Sequence, residues 1–108
     1  MSVSNADVID AAAADGGTLV LMISDHLRWD TEEVAHLKIL QSKLNTYIRY
    51  ISSGEYKSLF PGKIFFSYRI EIDFLHQYPG SFVKMLELVR DELVSRNISV
   101  EYYVEEEK

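Results

Sequence analysis

Residues 24–33 gather the chain's single tryptophan, one of its three histidines and four carboxylates in one run: Ser24-Asp25-His26-Leu27-Arg28-Trp29-Asp30-Thr31-Glu32-Glu33. A carboxylate beside an imidazole is the pairing that both acid–base catalysis and metal ligation use. On that reading Asp25 and His26 form the pair, with Glu32 or Glu33 assisting, as in a small hydrolase or a metal-dependent enzyme. Two features weigh against it. Neighbours on a strand point to opposite faces, so Asp25 and His26 converge only in a turn. A metal site needs at least three convergent donors, and no other histidine stands at a ligand spacing from His26. His36 lies beside the apolar stripe of a helix, and His76 lies in a loop. Ser24 next to the pair is not a triad, because triads are assembled in space and need an oxyanion hole. Gly16-Gly17 opens no helix and so is no phosphate loop. The expectation is therefore a protein without catalytic residues, metal or cofactor.

A structural use explains more of the same residues. With Asp30 as N-cap, its carboxylate accepts the amide of Glu33 and Glu33 reaches back, forming a capping box. Trp29 and Val34 then occupy the two positions of a hydrophobic staple, and Glu32 and Glu33 sit where the helix dipole favours negative charge. Thr31 competes for the cap. Asp25 is expected to close a turn through an Asx-type hydrogen bond.

The elements that position this segment follow from periodicity. Residues 8–13 read as a short first strand, Ala14-Asp15-Gly16-Gly17 as a turn, and residues 18–24 as a strand rich in β-formers. Val34, Leu37, Leu40, Leu44, Tyr47, Ile48 and Ile51 form one helical face, with Lys38, Gln41, Lys43, Asn45 and Arg49 opposite. That helix spans about residues 31–53 and stops at Gly54. A connector at 57–62 tucks in Leu59 and Phe60. Residues 63–74 alternate, with Ile64, Phe66, Tyr68, Ile70, Ile72 and Phe74 on one face and Phe65, Ser67, Arg69, Glu71 and Asp73 on the other. Phe82, Met85, Leu86, Val89 and Leu93 mark a second helix, and Ile98, Val100, Tyr102 and Val104 a last strand. The predicted fold is α+β, order ββαβαβ. One mixed or antiparallel sheet carries both helices on one face, and the last β-α-β unit joins parallel strands. A single domain over residues 1–108 is expected, with loose ends at 1–6 and 105–108.

Composition narrows the partners. The net charge is −6 and is spread over the chain, so phosphate backbones are repelled and nucleic acid is not an expected partner. A basic protein is the natural electrostatic complement. No apolar run approaches a membrane span, and the N-terminus does not read as a signal peptide. The absence of cysteine fits a reducing cytoplasm. The second sheet face is expected to gather Val20, Met22, Phe65 and Tyr103 into an apolar patch ringed by Arg69, Glu71, Asp73 and Glu101. Such a patch marks an interface, to another protein or to a second copy of the chain.

The run Asp15-Gly16-x-x-Leu19-x-Leu21-x-Ile23-Ser24-Asp25-His26-Leu27-x-Trp29, followed by Ala35-His36-Leu37, resembles the strand-to-helix signature of a family of small bacterial domains of unknown function. The resemblance covers about residues 15–104 and carries over no activity. In general character the chain is also similar to the immunity proteins of bacterial toxin systems. That likeness implies a cytoplasmic inhibitor of a basic toxin, such as a nuclease. Its expected partner-binding residues are Met22, Phe65, Glu71, Asp73, Glu101 and Tyr103.

Overall fold

The computed structural model describes residues 8–30 and 32–105. The expected loose start, Thr31 and the last three residues of the expected tail lie outside them. Six main elements follow in the predicted order: β1 (Ala11–Asp15), β2 (Thr18–Asp25), α1 (Glu33–Ser53), β3 (Ser67–Phe74), α2 (Gly80–Ser95) and β4 (Ile98–Val104). One turn of tighter helix, Glu55–Ser58, follows α1. The sheet is mixed, with spatial order β1-β2-β3-β4. β1 and β2 form an antiparallel hairpin, while β2, β3 and β4 are parallel.

This order explains the layering. Two right-handed crossovers that step the same way along a sheet place their helices on the same face. The register assigns that face to Leu19, Leu21 and Ile23 of β2, Ile70, Ile72 and Phe74 of β3 and Ile98 of β4. They are buried with Leu40, Leu44, Tyr47 and Ile51 of α1 and Phe82, Leu86 and Leu93 of α2. Truncating one of these to alanine removes about 2–5 kcal/mol. Among the described residues, no helix lies on the opposite face.

The hairpin turns through Gly16-Gly17, with Asp15 paired to Thr18. Gly17 is needed for a close approach. A Cβ there would stand 2.9 Å from the Phe66 ring, and the Gly17 carbonyl accepts the Phe66 amide at 2.8 Å. α1 ends as expected on Gly54, in the left-handed conformation at φ 79°, with its amide bonded to the Ile51 carbonyl.

Four expectations fail for physical reasons. The first strand is residues 11–15, because Val8 and Asp10 are taken by side chains of α1 (below). The third strand begins at Ser67, not at Lys63. Ahead of it the chain turns over: Ile64 and Phe66 are exposed, while Phe65 is buried edge-on against Tyr56 and Phe60. Leu59 is exposed rather than tucked in; Phe60 alone joins the core there. Lys43 is wholly buried instead of lying on a polar helix face.

Candidate functional site

α1 does not start with a capping box. Its N-cap is Glu32, which makes no side-chain cap bond. Val34 is 66% exposed, so no staple forms with Trp29. Glu33 instead accepts the Ser81 hydroxyl at 2.6 Å, tying the start of α1 to the start of α2. Trp29 lies flat on His36, with ring centroids 3.5 Å apart and planes 13° apart. Phe74 flanks it at 6.0 Å. The indole nitrogen is buried without a partner.

The acid–imidazole pair at this end of the sheet is Asp25–His36, not Asp25–His26. Asp25 ends β2 on the helix side, 2% exposed, and His36 in the first turn of α1 is equally buried. Their Oδ2 and Nε2 atoms are 2.6 Å apart. Oδ1 accepts the Leu27 amide at 3.1 Å, the expected Asx turn. His36 Nδ1 lies 3.2 Å from the Arg28 carbonyl oxygen. Burial pushes the Asp25 carboxyl above the usual carboxylate range, opposed by the His36 hydrogen bond and charge, the Leu27 amide and His26. His26 is exposed on the other side, where it shares a small cavity with Ser24, Asp25, Asp73, Leu75 and Glu105. Both nitrogens of the His36 ring are committed, so the pair turns no basic lone pair toward that cavity. Among the described residues, no three His, Asp or Glu side chains gather as metal ligands.

A second buried polar cluster fastens the start of β1. Lys43 donates to the Val8 carbonyl at 2.6 Å and to Asp10 Oδ1 at 2.8 Å. Asp10 Oδ2 accepts the Ser24 amide at 3.0 Å. The Tyr47 hydroxyl accepts the Asp10 amide at 2.8 Å and donates to the Met22 carbonyl at 2.5 Å. Its burial pushes that phenol well above its ordinary range. Sequence reading missed both clusters, yet a signal was present. His36, Leu40, Lys43, Tyr47 and Ile51 recur at steps of three and four, so two cationic residue types stand within the apolar stripe.

The helix-free sheet face brings five of the six expected partner-binding residues together. Across the strands run the rows Ala11–Met22–Glu71–Glu101 and Ser24–Asp73–Tyr103. A shallow cavity of about 410 Å³ is lined by Asp10, Ala11, Met22, Ile23, Ser24, Glu71, Asp73 and Tyr103. Phe65 is the exception, since it belongs to the core on the helix side. Val20 is on the open face but only 6% exposed, so the apolar patch is narrower than expected. Tyr103 is half exposed and donates to Glu101 at 2.7 Å. Arg69 is held by Glu71 at 2.8 Å and Asp15 at 3.4 Å. The face is thus acidic overall, with Asp15, Glu71, Asp73 and Glu101 against Arg69.

No helix among the described residues is long and apolar enough to cross a membrane. The chain has no significant match among curated proteins or among solved structures. Residues 1–106 match the model of a family of unknown function (DUF6572), and the chain belongs to that family.

Proposed function

We propose that this member of the DUF6572 family is a non-catalytic protein-binding module of the immunity type. On this reading it neutralises a basic bacterial toxin, such as a nuclease, in the cytoplasm by covering it with the open face of its sheet. The observation that carries the reading is that face. It pairs a cavity with three carboxylates, Glu71, Asp73 and Glu101, and with one half-exposed aromatic side chain, Tyr103. Acidic groups of this kind accelerate encounter with a basic partner and set its orientation, while an aromatic anchor supplies affinity. The test is co-expression with the protein encoded beside this one. Restored growth and a complex that co-elutes on a sizing column are expected. Neither rescue nor complex would end the proposal.

A second reading, a small hydrolase or metal-dependent enzyme at Asp25 and His26, draws on the cavity those two residues share. It requires that His26→Ala remove a measurable hydrolytic activity or a bound metal. An unchanged variant counts against it.

A further inference from the structure

Asp25 and His36 flank a connector, residues 26–30, of which three residues contact the pair. A carbonyl oxygen only accepts, so His36 Nδ1, facing the Arg28 carbonyl, carries a hydrogen. That leaves one proton for the 2.6 Å gap between Nε2 and Oδ2. The gap is bridged either by imidazolium facing carboxylate or by imidazole facing carboxylic acid; the proton count is the same. Oδ1 is already engaged by the Leu27 amide. Trp29 covers the ring face. Thus Leu27, Arg28 and Trp29 of the connector are all held in place by this one pair.

Removing the shared proton leaves one ring hydrogen for two contacts, so either Nε2 meets Asp25 Oδ2 or Nδ1 meets the Arg28 carbonyl oxygen lone pair to lone pair. Asp25 is 2% exposed, so water does little to relieve that repulsion. The mutual attraction that holds the connector then becomes repulsion. We propose that the Asp25–His36 pair is a one-proton clamp: the shared proton fastens the 26–30 connector to α1, and its loss as pH rises releases the connector and lifts Trp29 off the His36 ring.

The surroundings set the direction. Asp73 of β3 and Glu105 beyond β4 line the adjoining cavity with Asp25, and Glu32 and Glu33 precede His36 at the start of α1. His26, in the same cavity, lowers the Asp25 carboxyl and so works against keeping the proton, while burial favours it. With the shared proton the buried pair is neutral overall; without it the pair carries one uncompensated buried negative charge, the form that burial disfavours at Asp25. The clamp's stabilisation is therefore in place on the acid side and is lost as the pair gives up its shared proton at rising pH.

The chain's single tryptophan is the reporter. Its emission is read from about pH 5 to about pH 9, the range in which imidazole-linked protons move, with far-UV circular dichroism as the control for folding. One transition is expected, with intensity rising and the maximum shifting to the red while secondary structure is kept. Asp25→Asn places an amide hydrogen against Nε2, which holds the clamp without a titrating proton, and abolishes the transition. His26→Gln leaves it in place. Flat emission in the wild type overturns the clamp, as does an unmoved midpoint in Asp25→Asn or a lost transition in His26→Gln. Imidazole nitrogen chemical shifts of His36 in the wild type supply a reading that needs no variant. They must change through the same transition, and shifts that stay constant across it overturn the proposal.

Discussion

At the residue scale, the most consequential group is a lysine that behaves as core. Lys43 has no exposed surface, and its ammonium is bonded to Asp10, whose side chain is 6% exposed. Removing one member of such a pair strands the other charge away from water, and that typically costs about 3–5 kcal/mol. Lys43→Met keeps the volume and deletes the charge, so it should lower the unfolding free energy measured by urea titration by an amount of that order. Asp10→Asn in the same chain removes the stranded carboxylate and still offers an oxygen to the Ser24 amide. The double variant should therefore recover at least half of the loss. A Lys43→Met stability within about 1 kcal/mol of wild type would show that the pair contributes little. Both partners were visible as letters, but their meeting was not. Asp10 and Lys43 are 33 residues apart, and residues 8–10 read as strand until a side chain of α1 claims their backbone.

At the scale of elements, periodicity and turn signals located the six main elements, and the errors fell where local geometry breaks the period. The alternation of residues 63–74 is real only from Ser67 onward; before it a turn reverses the phase and sends Phe65 inward. The start of α1 is a similar case. The letters of a capping box and staple are present, yet the larger gain comes from stacking Trp29 on His36, and that contact draws the chain away from Asp30 as the cap. The helix consequently starts on Glu32 without a side-chain cap. Glu32→Ser or Glu32→Asp should raise stability by about 0.5–1 kcal/mol in thermal unfolding, since a short side-chain oxygen can accept an amide of the first turn. No gain in either variant would mean that those amides are already satisfied. The other end gives the opposite sign. A Cβ at Gly54 meets only Lys57 atoms at ordinary contact distance, 3.5 Å and beyond. Gly54→Ala should therefore lose about 1 kcal/mol through its positive φ alone. A neutral result would place the strain elsewhere in the cap.

At the scale of the whole molecule, one sheet face is committed to the core and the other is left to the surroundings. Strand alternation made that division readable, which is why Met22, Glu71, Asp73, Glu101 and Tyr103 were grouped correctly from sequence. Phe65 was misplaced because its group assignment depended on the strand phase that fails before Ser67. The division also gives the proposed interface a kinetic signature. The net charge of −6 and the carboxylates of the open face together attract a basic partner over a distance of about one Debye length, about 8 Å at physiological salt. Asp73 and Glu101 are exposed, so replacing them disturbs no core contact. In the complex obtained by co-expression, Asp73→Lys with Glu101→Lys should slow association by about tenfold or more at low salt. The deficit should shrink as ionic strength rises, because screening removes the same attraction. Tyr103→Phe retains the ring and loses only the hydroxyl bonded to Glu101, so it should leave the association rate nearly intact. Tyr103→Ala should instead speed dissociation, as loss of an aromatic anchor does. If the charge reversal changes only dissociation, or changes neither rate, the partner is seated on another face of the molecule.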